Sequence, residues 1–96
     1  MGVSKIIKIG KYSIQAFAIP LQTKRFILLK GRKGYVMCGY LNLKAANAFR
    51  DVAVRIVGVS TIKQALGTKV HSLSHSAQRL GIHKGQLIRD VLKIIA

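Results

Sequence analysis

Cys38 is the residue of this chain best placed for covalent chemistry. It closes an apolar run from Tyr35 and is followed by Gly39 and by Asn42, a residue suited to start a helix. The start of a helix favours the thiolate that a nucleophile needs, and a glycine lets backbone come close to a ligand. A small-molecule or thiol-dependent site around Cys38, at a turn from strand to helix, is therefore one reading. The other is a small core residue, because Met37, Tyr40 and Leu41 make the surroundings apolar and no histidine or acid lies nearby in sequence.

Other catalytic chemistries lack material. Asp51 and Asp90 are the two side-chain carboxylates, too few for the paired acids of a glycosidase or the ligands of a two-metal hydrolase. Asp90 is placed to pair with Lys93 on a helix surface. His71 and His75 are four apart, but a helix predicted to begin after Ser74 keeps them off one face, and His83 is remote. One cysteine excludes an internal disulfide and a Cys-rich zinc site. We expect no metal, no cofactor and, more readily than an enzyme, a binding or assembly module.

The remaining chemistry is electrostatic. Seventeen Lys and Arg against two Asp give 96 residues a formal charge of +15. Local pairing cannot cancel that excess, and charges within a Debye length of about 8 Å repel one another. Phosphate-rich partners, nucleic acid among them, are the expected neutralisers. The densest group is Lys24, Arg25, Lys30, Arg32 and Lys33, at the entry and tip of a predicted hairpin. A two-stranded ribbon can enter a major groove or clasp phosphates, while the bland alternative is a solvated turn. The aromatics, Tyr12, Phe17, Phe26, Tyr35, Tyr40 and Phe49, are expected mostly in the core, and no RNA-recognition signature accompanies them.

The elements that position these residues follow from residue type and spacing. Residues 3–9 and 12–19 are rich in Ile, Phe and Tyr around a Gly10-Lys11 turn, which predicts a hairpin, with Pro20 ending its second strand. A second hairpin, 26–29 and 35–38, spans Gly31-Arg32-Lys33-Gly34 and should lie centrally in the sheet. Asn42 caps a helix over 43–50, a strand covers 52–57, and Ser60 caps a helical turn. A short strand at 69–73, a helix from Ser74 to Leu80 closed by a left-handed Gly81, and an amphipathic helix over 86–95 complete the chain. Strands first and helices later predict one α+β domain over residues 1–96, its sheet antiparallel or mixed and its helices three to four in number. The first hairpin carries apolar residues on both faces, more than one core can use, so we expect the N-terminal strands, about 3–38, to join copies of the chain. Half the residues are hydrophobic, yet Lys5 and Lys8 interrupt the first apolar run, and the uncharged stretch from Tyr12 up to Lys24 contains Pro20 and polar residues. No export signal and no membrane partner are expected, and the domain reads as cytoplasmic.

The stretch Gly34-Tyr35-Val36-Met37-Cys38-Gly39-Tyr40-Leu41-Asn42, followed by Ala45-Ala46-Asn47, resembles the signature of domain of unknown function 1805, a small bacterial and archaeal family. Gly58-Val59, and Ala77 to Gly85 with Leu80-Gly81-Ile82, are similar to it as well. The resemblance implies an α+β domain whose N-terminal strands form a tetramerisation region. It marks Tyr35, Cys38, Gly39, Tyr40 and Asn42 as motif residues and implies no known reaction.

Overall fold

In the structure, a computed structural model that describes residues 2–96, six strands form one mixed sheet in chain order. Strands β1 (Val3–Ile9) and β2 (Tyr12–Pro20) pair antiparallel, Ile7 opposite Ile14. Gly10, with φ of 61°, takes the first loop position, where a tight hairpin turn needs a left-handed residue. Strand β3 (Arg25–Lys30) pairs antiparallel with β2 and with β4 (Tyr35–Met37). Helix α1 (Leu43–Ala48) then carries the chain to β5 (Ala53–Arg55), which lies parallel to β4. Helix α2 (Ile62–Gly67) leads to β6 (Ser72–Leu73), antiparallel to β5, and α3 (His75–Arg79) and α4 (Ile88–Ile95) follow. The protein is thus α+β, with four helices on a mixed sheet.

Three local expectations change. The strand expected over 52–57 is Ala53–Arg55 alone, although the Ile56 amide still reaches the Met37 carbonyl at 2.9 Å. The strand expected over 69–73 shrinks to two residues, with an isolated bridge from Lys69 to Leu87. Thr61, not Ser60, caps α2: its Oγ1 accepts from the Gln64 amide at 3.0 Å, while Gln64 Oε1 accepts from the Ser60 amide at 2.8 Å. That reciprocal arrangement satisfies two otherwise free donors.

Cross-strand partners share a face, so register identifies the core side. Ile14, Ala16 and Ala18 of β2 pack with Ile27 and Leu29 of β3 and Val36 of β4, all buried, beneath α2 and the Ile88, Val91, Leu92 and Ile95 face of α4. The alternate set is only partly covered: Ile6 is 57% exposed and Ile19 44%, and Phe17, Phe26, Leu28 and Met37 are half-buried. Ala53 and Val54, on opposite faces of β5, are both fully buried, so cover on both sides exists where α1 and α3 touch β5 and is missing over β1 and β2. This corrects the expectation for the aromatics. None of the six rings is buried, because inward positions go to Ile, Leu, Val and Ala while Tyr12, Tyr40 and Phe49 stand exposed.

Ser74 knots the second half of the chain. Fully buried, its hydroxyl donates to the Asp51 carbonyl at 2.7 Å and accepts from the amides of Ala53 and Ala77 at 3.0 and 3.2 Å. It caps α3 and anchors β5 at once. At the same end of the strands the Lys33 amide donates to the Ile95 carbonyl at 2.8 Å, giving the end of α4 a partner in the β3–β4 turn. A side chain on Gly31 would collide with that same carbonyl.

Candidate functional site

Because β4 and β5 are parallel, their carboxyl ends open on the same edge of the sheet, where crossover folds hold ligands. The chain leaves β4 through Cys38, Gly39 and Tyr40 and leaves β5 through Val57, Gly58 and Ser60. The turn from Pro20 to Arg25 closes the third side, held by a 2.7 Å bond from the Leu21 amide to the Lys24 carbonyl. Together these segments enclose a crevice of about 860 Å³. Its lining includes Lys24, Arg25, Cys38, Tyr40, Arg55 and Ser60.

Cys38 forms part of this wall but is 5% exposed. Its amide donates to the Ile27 carbonyl at 3.2 Å, whereas its own carbonyl has turned to the Leu41 amide at 3.1 Å. The Ile27 amide, deprived of the next ladder carbonyl, donates instead to Cys38 Sγ at 3.3 Å. Sγ in turn lies 3.9 Å from the Arg25 carbonyl. The thiol therefore completes the β3–β4 ladder, and the structure accounts for it as a packing and hydrogen-bonding group.

Arg55 is the residue the sequence did not flag. It stands opposite Met37 on β5, and it is the one cation of the seventeen that is not exposed. Its Nε is buried and has no hydrogen-bond partner, and Nη2 reaches the Gly39 carbonyl only at 3.5 Å. A buried polar group left without a partner costs about 1–3 kcal/mol, and more when charged. The available signal was a single Arg inside the apolar run 52–57, where periodicity called for a β-branched residue.

The predicted basic group divides. Lys24 and Arg25 line the crevice, whereas Lys30, Arg32 and Lys33 lie at the far end of β3, about 17 Å away at the usual rise per strand residue. They border a shallow cavity of about 200 Å³ beside Tyr35 and Asp51. The other cations are spread over β1 and every helix, as Lys5, Lys8, Lys44, Lys63, Arg79 and Arg89 show. Among the described residues one ion pair forms, Lys93 with Asp90 at 3.8 Å, the pair expected from spacing. Asp51 is engaged by the Tyr35 hydroxyl, which donates to Oδ2 at 2.9 Å. Burial, that bond and the carboxylate's charge push the Tyr35 pKa up to about 12.

Two further motif residues, Asn42 and Tyr40, have structural duties. Asn42 Oδ1 caps α1 by accepting from the Ala45 amide at 3.2 Å. Tyr40 leans on Phe26 with ring centroids 6.1 Å apart. Gly39 is not crowded: an added Cβ would meet only Arg55 Nη2, at 3.9 Å, so close packing is not its reason. His71 and His75 fall on either side of β6, and no group of three or more metal-ligating side chains occurs among the described residues. No helix among them is long and apolar enough to cross a membrane.

Residues 37–95 match the family described as Domain of unknown function (DUF1805). The chain is 35% identical over 81 residues to YunC, an uncharacterized protein of Bacillus subtilis (strain 168), covering 80% of each. Among solved structures it is similar to TA1206, a protein of unknown function from Thermoplasma acidophilum, with a TM-score of 0.96 and 38% identity, over all of this chain and 94% of that one.

Proposed function

This chain belongs to the DUF1805 family, and on that footing we propose that it is a non-enzymatic, homo-oligomeric module that binds polyanions, nucleic acid foremost, in the cytoplasm. The observation that carries the reading is charge without an internal neutraliser: seventeen cations face two side-chain carboxylates, of which Asp51 is held by Tyr35 and Asp90 pairs with Lys93. Spread over every helix and both ends of β3, such charge suits phosphate contacts that ignore base sequence. The uncovered sheet face of Ile6, Phe17, Ile19, Phe26 and Leu28 supports self-association, since a second copy laid against it removes those side chains from water. A tetramer is consistent with this face and with the open edge of β1.

Titration of labelled duplex DNA and single-stranded RNA at increasing salt tests the binding. Affinity should fall with a log–log slope of about −0.9 per neutralised phosphate on the duplex. No association with either at low salt overturns the proposal. A second reading, a small-molecule site at the Cys38 turn, is favoured by the crevice itself, whose volume lies within the range of ligand pockets. In it Cys38 is a wall residue.

A further inference from the structure

We infer that the crevice at the carboxyl ends of β4 and β5 binds a phosphorylated small molecule, its phosphate held by Arg55, Arg25 and Lys24. The inference rests on the second reading above and gives that site a ligand class. Three observations converge on it. Arg55 is drawn into the fold as no other cation is, yet its Nε lacks any acceptor and Nη2 makes only one long contact. Neither side-chain carboxylate is paired with it or with Arg25 and Lys24, so three cations line one crevice without a paired counter-charge. Leu21, Tyr40 and Val57, each more than 40% exposed, line the same space.

Charge and shape then select the ligand. Three cations match a dianion better than a single carboxylate, and a guanidinium donates to two oxygens of one phosphate in a planar fork. An anion bound there would give the Arg55 guanidinium an acceptor it lacks. Inorganic phosphate alone would leave most of 860 Å³ empty. An organic body against Tyr40, Val57 and Leu21 would fill it and cover apolar surface. Gly39 keeps a side chain out of the space beside Arg55 Nη2.

The test is a phosphorus NMR and calorimetric titration of the full chain with inorganic phosphate and with phenyl phosphate, at constant ionic strength. We expect both to bind, phenyl phosphate more tightly, and Arg55→Gln to weaken both by at least about tenfold. Arg32→Gln, at the far end of β3, should leave both affinities unchanged and so controls for net charge. Arg25→Gln provides a second reading of the same site should Arg55→Gln fold poorly. Binding that is equal in Arg55→Gln, Arg25→Gln and wild type, or equally reduced in Arg32→Gln, overturns the inference, as does the absence of binding by either probe. Duplex DNA distinguishes the sources of phosphate. If Arg55→Gln loses DNA affinity by the same factor as phenyl phosphate, the crevice is part of a nucleic-acid footprint and the separate site is refuted. If DNA fails to bind while phenyl phosphate does, the polyanion proposal falls and this one stands.

Discussion

Replacing Cys38 by alanine separates the structural role of the thiol from a chemical one. Alanine leaves the Ile27 amide buried with no acceptor, because the Cys38 carbonyl is already committed to Leu41. An unsatisfied buried amide costs about 1–3 kcal/mol, and loss of the buried sulfur adds about 1 kcal/mol. We expect Cys38→Ala to lose about 2–4 kcal/mol in urea unfolding, equivalent to a fall in Tm of about 10–20 °C for a domain of this size. Cys38→Ser keeps an acceptor at the same branch point and should lose less than half as much. In the same samples, native Cys38 should alkylate with iodoacetamide far more slowly than the urea-unfolded chain, as expected for a thiol 5% exposed. A Cys38→Ala protein within about 0.5 kcal/mol of wild type would refute the argument that sulfur serves the ladder. Rapid alkylation of the native protein would restore the nucleophile.

Glycine substitutions should diverge: Gly31→Ala drives a methyl group into the Ile95 carbonyl and costs about 1–3 kcal/mol, while Gly67→Ala, with open space around it, should be neutral or stabilising by up to about 1 kcal/mol, both read by thermal denaturation. Alkaline pH should destabilise the fold between about 10 and 12. The unfolded Tyr35 ionises near 10 while the folded one keeps its proton to about 12, so its contribution is complete below 10 and lost as pH rises through 12. Tyr35→Phe should remove that part of the pH dependence. Ile19→Glu, at a 44% exposed position on the uncovered face, should leave the circular dichroism spectrum unchanged and shift sedimentation toward the monomer.

Much of this fold could be read from local pattern. The caps at Asn42 and Ser74, the left-handed Gly81 (φ 91°) and the apolar stripe of α4 all appear where residue type and period put them. The two hairpins are equally legible, since turn residues separate runs of Ile, Phe, Tyr and Leu. What one dimension conceals is which end of a strand a residue occupies in space. Lys24 and Lys30 look like one basic group in sequence, yet β3 holds them apart, and Lys24 keeps company with Arg55, thirty-one positions away. The aromatics misled for a related reason. Both alternating sets of β2 and β3 are apolar, and hydrophobicity alone does not say which set faces the helices. The Ser60 and Thr61 hydroxyls are adjacent, and only the Gln64 spacing from Thr61 distinguishes the cap.

The bonds of the Ser74 hydroxyl tie together segments that would otherwise be free to melt one at a time. Helix α3 is too short to persist alone: its first amide, His75, donates to Asn47 Oδ1 at 2.9 Å, and its Ala77 amide donates to the Ser74 hydroxyl, which in turn is held by the Asp51 carbonyl. The amides of Ala53 and Ala77 should accordingly exchange with deuterium at one common rate, set by opening of the whole unit, in contrast to the outward-facing amides of the edge strand β1.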